Sequence, residues 1–244
     1  MKHEKVSNLI GLFKRLIIIP VLAIMLGSCN TSLTGSEFFS AQQAKSALDL
    51  SIRHYKNLME QLPDSVLPRT FDNKGLHTTN AYWWCSGFYP GTLWYLYQYS
   101  GDTLLKKEAE RSTALVEPVK YVTDNHDLGF MLYCSFGNGY RLTKNPVYKD
   151  VLLTGAASLA TRYNPNVKAI KSWDWHGNRA WSYPVIIDNM MNLEFLLWAA
   201  DAGPQGNNYE EIAVNHSLTT IKNHFRADYS SYHVIDYDTL TGQA

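Results

Sequence analysis

The chain has 244 residues, of which 45% are hydrophobic and 18% are charged, so it is long and apolar enough to fold around a core and is not intrinsically disordered. Lysine and arginine together number 22, as do aspartate and glutamate, which argues against nucleic acid or an anionic membrane surface as a partner. No obligate protein partner is expected either. Aromatic residues make up 13% of the chain, and their clustering suits an aromatic-lined cleft.

The N-terminal segment, residues 1–28, has the order of an export signal: basic residues, then an apolar run too short to span a bilayer comfortably. It leads into Leu26-Gly27-Ser28-Cys29, which is similar to the lipobox of bacterial lipoproteins, where the cysteine is acylated. We expect a lipid on Cys29, a flexible tether over residues 29–39 and a folded domain over residues 40–244. The expected location is periplasmic or outer-membrane associated in a Gram-negative bacterium. An ordinary secretory signal is the alternative and also implies export.

Helical periodicity dominates from Ser40 onward and predicts an all-α fold. Only Tyr232–Asp238 alternates with the period of a strand. The second, fourth and sixth predicted helices are apolar nearly all round, which predicts a two-layered ring of helical hairpins with these helices inside. The seven predicted helices run from Ser40 to near Pro63, from about Phe88 to Tyr99, from Asp102 to about Lys120, from near Asn125 to Gly137-Asn138-Gly139, from about Pro146 to Tyr163, from Ile187 to Asp201, and from Asn208 to Phe225.

Cysteine usage and metal motifs add little to this picture. A disulfide between Cys85 and Cys134 is open in an oxidising compartment, but both lie in apolar stretches, where a buried free thiol is commoner. The sequence contains no zinc pattern, no phosphate-binding glycine loop and no Gly-x-Ser-x-Gly elbow. Neither a metal nor a cofactor is therefore expected.

Two aspartates stand where apolar inner helices are predicted to begin. Antiparallel hairpins bring the starts of alternate helices to one rim, so Asp127 and Asp188 are predicted to face each other. Asp188 lies in an apolar run, where burial of a carboxylate would need a reason. Two neighbouring carboxylates push their pKa values apart, and the protonated one can act as a general acid. The alternative is that each aspartate only caps its helix.

Three further residues near these helix starts are candidates for contact with a substrate. His126 precedes Asp127 and can orient it, contact substrate, or serve as a hydrogen-bonded structural residue. Trp173 and Trp175, in Ser172-Trp173-Asp174-Trp175-His176, suit a wall on which sugars stack. Covering the rim of the barrel is the equal alternative for both tryptophans.

Four motifs in this order and spacing resemble glycoside hydrolase family 88, the unsaturated glucuronyl hydrolases, over about Gln42 to the C-terminus. The resemblance implies an (α/α)6 barrel and an oligosaccharide substrate whose non-reducing end carries a 4,5-unsaturated uronic acid left by a polysaccharide lyase. The motifs are Trp84-Cys85-Ser86-Gly87-Phe88-Tyr89-Pro90-Gly91, His126-Asp127-Leu128-Gly129-Phe130, Ser172-Trp173-Asp174-Trp175, and Pro184-Val185-Ile186-Ile187-Asp188-Asn189-Met190-Met191-Asn192-Leu193.

The same resemblance implies a role for individual residues. Asp188 matches the general acid/base that protonates C4 of the unsaturated ring and activates the water that attacks C5. Asp127 matches the second essential carboxylate. Trp84 matches a ring-stacking residue, and His233 matches a polar contact to the substrate.

A six-hairpin barrel has twelve helices, whereas seven are predicted here, so we expect an incomplete barrel that is inactive on its own. Two other functions stay open at this point. One is the unsaturated rhamnogalacturonyl hydrolase activity of family 105, although the motifs around Asp127 and Asp188 favour family 88. The other is a non-catalytic glycan-binding lipoprotein, which would keep the aromatic cleft but need neither aspartate.

Overall fold

The computed structural model describes residues 40–174 and 180–244. By its contacts the chain divides into two compact units, residues 1–45 and 46–244, and residues 40–45 of the first are described. The predicted signal segment, Cys29 and the tether over residues 29–39 lie outside the described residues, as does Trp175. No helix within the described ranges is long and apolar enough to cross a membrane.

Helices dominate the structure, which confirms the predicted all-α class. The described residues form seven α-helices: α1 (Ala41–Gln61), α2 (Phe88–Ser100), α3 (Thr103–Val116), α4 (Asn138–Thr143), α5 (Pro146–Ala160), α6 (Asn192–Ala202) and α7 (Tyr209–Asn223). Two 3₁₀ segments span Glu117–Tyr121 and Ile187–Met191, and a π-helix spans Gly129–Gly137.

Short strands form three antiparallel ribbons between the helices. These pair β1 (Leu67–Asp72) with β2 (Gly75–Thr79), β3 (Tyr163–Asn164) with β4 (Ala169–Ile170), and β5 (Pro184–Ile186) with β6 (Val234–Asp236). The predicted strand over Tyr232–Asp238 is therefore present as the shorter β6. Its partner, β5, lies nearly 50 positions earlier in the sequence, and this pairing places β6 beside the start of the 3₁₀ segment Ile187–Met191.

Local caps fix several helix starts. The Ser40 hydroxyl accepts a hydrogen bond from the Gln43 backbone N–H at 3.2 Å, and the Gln43 side chain accepts one from the Ser40 N–H at 2.8 Å. This reciprocal capping box confirms Ser40 as the predicted N-cap of α1. Asp102 caps α3 through the N–H of Leu104. The α-helical part of α3 ends at Val116, before the predicted Lys120, because Pro118 has no N–H to continue the ladder.

The helices pack as consecutive hairpins, with α2 against α3, the π-helix against α5, and α6 against α7. The π-helix also contacts both α2 and α6, so these three segments form the inner row that the apolar pattern predicts. Each contributes a fully buried side chain to one core: Trp94, Leu132 and Phe195 are all 0% exposed.

Two glycines let α2 lie directly on the backbone of the π-helix. A Cβ added to Gly91 would stand 2.6 Å from the carbonyl oxygen of Cys134, well inside van der Waals contact. A Cβ on Gly87 would collide with the carbonyls of Phe130 and Met131. The Gly-x-x-x-Gly spacing of the first motif is therefore a packing requirement.

The fourth and sixth predicted helices differ most from the structure. The predicted fourth α-helix, from near Asn125 to about residue 139, begins instead as a π-helix at Gly129 and continues directly into α4 as far as Thr143. The predicted sixth helix begins with the tighter 3₁₀ segment Ile187–Met191 before α6. Both irregular windings lie beside the two candidate aspartates.

The buried hydrogen bond between Trp94 and Thr113 gives a test of the inner packing. The Trp94 indole Nε1–H donates to the Thr113 hydroxyl oxygen at 3.0 Å, and both residues are 0% exposed. Thr113→Val keeps the volume but leaves the indole N–H unpaired, so we expect the free energy of unfolding to fall by about 1–3 kcal/mol. Denaturant unfolding measures it, with Thr113→Ser as the matched variant that retains the acceptor. Wild-type stability in Thr113→Val would contradict the assignment.

Candidate active site

His126 brings the two candidate carboxylates together. Asp127 lies two residues before the start of the π-helix, and Asp188 lies in the first turn of the 3₁₀ segment after β5. The imidazole Nε2 of His126 is 3.0 Å from Oδ1 of Asp188 and 3.5 Å from Oδ1 of Asp127. Two carboxylates that are 61 positions apart in sequence therefore meet at one ring nitrogen, as the helix-start argument predicts.

The other ring nitrogen of His126 is fixed by the backbone. Nδ1 lies 2.9 Å from the carbonyl oxygen of Ser172, and a carbonyl oxygen can only accept a hydrogen bond, so Nδ1 carries a proton. The side chain is 5% exposed. With both nitrogens engaged inside the protein, His126 fits the hydrogen-bonded role, and a direct contact to substrate does not fit this burial.

A pair of buried asparagines locks the two aspartate-bearing segments together. The Asn192 side-chain amide donates to the His126 carbonyl at 2.9 Å and to Oδ1 of Asn189 at 2.7 Å, while its own oxygen accepts from the Gly129 N–H at 3.0 Å. Both asparagines are 0% exposed. A Cβ on Gly129 would stand 2.6 Å from that Asn192 oxygen, so only glycine permits the contact.

Ser172 links this network to the β5–β6 ribbon. Its N–H donates to the carbonyl of Pro184 and its hydroxyl oxygen accepts from the N–H of Ile186, both at 2.9 Å. The Asn189 amide reaches the Ile170 carbonyl at 2.7 Å. The carbonyl that fixes His126 is thus held by the strand that leads into Asp188.

The two carboxylates have different environments. Burial raises the pKa of Asp127, the nearby charge of Asp188 adds to this, and His126 and Arg162 act in the opposite direction. The Asp188 side chain is 44% exposed, against 22% for Asp127. Asp188 is therefore exposed although its apolar neighbours Ile187 and Met190 are partly buried, so the apolar run does not enclose its carboxylate.

Helix capping does not account for either aspartate. The N-cap positions of the π-helix and of the 3₁₀ segment are Leu128 and Ile186, and neither segment has a side-chain cap hydrogen bond. The Asp127 N–H is itself held by the side chain of Asn125 at 3.0 Å, which forms a tight turn just before the helix.

Aromatic side chains border the carboxylates. The Trp84 ring is 45% exposed and contacts the rings of Phe88 and Phe130 at centroid distances of 5.7 and 5.8 Å. Phe130 is three residues beyond Asp127, so Trp84 lies on the same rim. Trp173 is half-buried, pairs with Asn125 through a β-bridge and lies 6.4 Å from the His126 ring, so it covers the site rather than standing free.

The backbone places His233 beside Asp188. Its carbonyl accepts a hydrogen bond from the N–H of Ile187 at 2.9 Å, while the residue itself is exposed. This arrangement leaves the side chain available next to the candidate acid. The prediction of a substrate contact for His233 is compatible with its position and stays a prediction.

Sequence reasoning missed the buried Arg162. Its guanidinium donates to the carbonyls of Lys171 and Thr123 and pairs with Asp174 at 3.2 Å. These contacts tie the loop before His126 to the loop that carries Trp173. A lone arginine near the predicted end of an apolar helix is the signal that could have identified it.

The two cysteines of the described ranges are not paired with each other. Cys85 and Cys134 are both free thiols and are partly buried, so the open disulfide is absent and the free-thiol alternative is confirmed. Burial raises the pKa of the Cys134 thiol to about 11, which keeps it protonated. Among the described residues, no three His, Cys, Asp or Glu side chains converge as metal ligands.

A row of inner helices with two carboxylates at their starts is the arrangement of a glycoside hydrolase of the (α/α)6 class. The comparisons agree. The chain is 49% identical over 160 residues to the unsaturated glucuronyl hydrolase of Formosa agariphila and 31% identical over 218 residues to the unsaturated chondroitin disaccharide hydrolase of Streptococcus pyogenes. These alignments cover 65% and 86% of this chain.

Solved structures give the same result. A crystal structure of an unsaturated glucuronyl hydrolase specific for heparin is 45% identical, with a TM-score of 0.77 over 82% of this chain and 53% of the other. The chain spans about half the length of the relatives it matches, 40% and 53% for the two named above. No family model matches. The similarities confirm the resemblance: the chain belongs with the unsaturated glucuronyl hydrolases, and its helices are those of an (α/α)6 barrel.

The asparagine network gives a testable prediction about the site's rigidity. Asn192→Leu leaves the Gly129 N–H and the His126 carbonyl buried without partners, so the free energy of unfolding should fall by at least about 2 kcal/mol. The control is Asn138→Leu, which loses bonds from a half-buried amide and should cost less. Chemical denaturation of both variants decides the matter, and equal losses would argue against a special role for Asn192.

Proposed function

We propose that the protein removes a 4,5-unsaturated uronic acid from the non-reducing end of oligosaccharides left by polysaccharide lyases. The observation that carries the proposal is the meeting of Asp127 and Asp188 at one nitrogen of His126, beside the exposed ring of Trp84. A glycan-binding protein would need the aromatic ring but neither carboxylate. The names of the relatives support the same chemistry.

The chemistry begins at the vinyl ether of the unsaturated ring. Asp188 donates a proton to C4, and the positive charge that develops at C5 is shared with the ring oxygen. Water adds to C5 and returns a proton to the Asp188 carboxylate. The resulting hemiketal opens to a 5-keto sugar whose C1 hemiacetal expels the aglycone, so one water is consumed and no glycosyl-enzyme forms.

The neighbouring groups support this sequence of steps. Asp127 is partly buried beside His126, and in its ionised form it supplies the negative field that stabilises the oxocarbenium character at C5. Trp84 offers a flat apolar face for the ring, and His233 is the polar contact beside it. Trp175, which lies outside the described residues, is proposed for the same wall from the sequence alone.

The substrate class follows from the relatives. The structure that is 45% identical belongs to an enzyme specific for heparin, and the relative that is 31% identical acts on a chondroitin disaccharide. We take unsaturated disaccharides derived from heparin as the first candidates, because the heparin-specific protein is the more similar of the two. An unsaturated rhamnogalacturonan disaccharide serves as the control for family 105 activity.

When this chain is part of a closed barrel, turnover of a heparin-derived unsaturated disaccharide should remove its ultraviolet absorbance, and in D₂O the product should carry one deuterium at C4. Asp188→Asn cannot deliver that proton, so its turnover should fall by about 100- to 10,000-fold, with Asp127→Asn also severely impaired. Asp124→Asn is the matched control, since its carboxylate is nearby and accepts a hydrogen bond from the Asn125 side chain. Normal turnover by a folded Asp188→Asn variant, or binding of the disaccharide without turnover by the closed-barrel protein that keeps both aspartates, would contradict the proposal.

The location proposed for this activity is outside the cytoplasm, with the protein tethered to a membrane through a lipid on Cys29. The support is the order of basic residues, apolar run and Leu-Gly-Ser-Cys at the N-terminus. An exported anchor would hold the enzyme where lyase products arise.

Cys29→Ala should abolish incorporation of labelled fatty acid and move the protein from the membrane to the soluble fraction. The matched control, Cys85→Ala, removes a thiol but leaves the lipobox unchanged, so it should stay with the membrane. Cell fractionation and labelling measure both. An unchanged membrane fraction in Cys29→Ala would count against the anchor.

A further inference from the structure

We infer that His126 is a positioning residue that retains the transferable proton of Asp188 in the hydrogen bond between Nε2 and Oδ1. The catalytic consequence of this inference rests on the proposed function, whereas the geometry of the ring does not. His126 acts through Asp188 and has no contact with the reacting atoms.

The argument begins with the tautomer. Because Nδ1 donates to the Ser172 carbonyl at 2.9 Å, a neutral imidazole has a bare lone pair at Nε2. That lone pair faces Oδ1 of Asp188 at 3.0 Å and Oδ1 of Asp127 at 3.5 Å. An ionised carboxylate has no hydrogen to donate. If both aspartates were ionised and the imidazole neutral, Nε2 and the two Oδ1 atoms would all be acceptors, with no hydrogen between them.

One proton resolves this conflict. On Nε2 it forms a charge-assisted hydrogen bond to the Asp188 carboxylate, and on Asp188 it forms a hydrogen bond to the Nε2 lone pair. A ring flip is no alternative, because Nδ1 and Nε2 would exchange places and the Ser172 carbonyl would then face a lone pair. The Asn192 amide holds the His126 carbonyl at 2.9 Å, so the backbone that carries the ring is fixed.

This proton compensates for the exposure of Asp188. The Asp188 side chain is 44% exposed, so apolar groups do not enclose it as they enclose a buried general acid. The directed contact with Nε2 of His126 at 3.0 Å is the feature that holds a proton at this position. When Asp188 gives its proton to C4, the attacking water releases a proton. That proton returns to the hydrogen bond between Nε2 of His126 and Oδ1 of Asp188, which restores the starting state.

The other titratable groups around His126 do not compete for the proton. Arg162 lies on the side of Asp127 and lowers the pKa of that carboxyl against the raising effect of burial. Burial lowers the pKa of His216 to about 3, with His224 and His126 adding to the effect, so His216 is uncharged near neutral pH. The cluster that holds the proton is therefore Asp127, His126 and Asp188.

The first test measures activity against pH. In His126→Gln, made in the same closed-barrel protein, the imidazole can no longer share the proton, so the two carboxylates alone must hold it. We expect the basic limb of the pH profile to move to lower pH by about one unit or more, and kcat at neutral pH to fall by about 10- to 100-fold with little change in KM. The matched control, His77→Gln, alters an exposed histidine of β2 and should leave the profile unchanged.

The second test does not depend on turnover. Nitrogen NMR of ¹⁵N-histidine-labelled protein, with His126 assigned by its loss in His126→Gln, should show Nδ1 protonated across the pH range and Nε2 shifted strongly by Asp188→Asn but not by Asp124→Asn. A neutral ring protonated on Nε2 with a bare Nδ1, or an unmoved basic limb in a folded His126→Gln protein, would overturn the inference. If no disaccharide is turned over while the ring behaves as expected, the proposed function fails and the shared proton stands.

Discussion

The hydrogen bond from His126 Nδ1 to the Ser172 carbonyl is the constraint on which the site depends. It commits one ring nitrogen to the backbone and turns the other toward the two aspartates. The groups around it hold its two ends: Asn192 fixes the His126 carbonyl, and β5 fixes Ser172 through Pro184 and Ile186. These buried hydrogen bonds therefore fix the orientation of the His126 imidazole. That orientation places Nε2 between the two carboxylates.

The irregular windings of the inner helices serve the same end. A π-turn is wider than an α-turn and a 3₁₀ turn is narrower, and both are frequent at functional sites. Here the π-helix begins two residues after Asp127, and the 3₁₀ segment contains Asp188. Gly129 stands at the first position of the π-helix, where its N–H bonds Asn192. The starts of two inner helices are thus shaped to meet, while the regular turns beyond them, with Trp94, Leu132 and Phe195, form the core.

The features that could be predicted from the sequence are those that follow from the pattern of side chains along the chain. Apolar periodicity located α1, α2, α5 and α7 to within a few residues, and an acidic residue at each apolar helix start identified the two aspartates. The role of Ser172 could not be predicted, because its carbonyl and N–H are backbone groups that every residue has. Asn189 and Asn192 were visible as amides three positions apart in an apolar run, a spacing that favours one helix face, but their partners lie on another element. Of the strands in the described residues, the alternating pattern predicted β6 alone, and its pairing with β5 could not be predicted from that pattern.

In a usual pair of catalytic carboxylates the more buried one is the acid, whereas here the proposed acid is the more exposed one. Burial ordinarily marks the acid, since desolvation disfavours the charged form, and by that rule Asp127 would keep the proton. The proposed function assigns proton donation to Asp188, which is the more exposed of the two. In that proposal the directed contact of Asp188 with His126, rather than burial, selects the acid. An exposed acid has an advantage here, because C4 of a substrate can approach it from the open side while the imidazole supports it from behind.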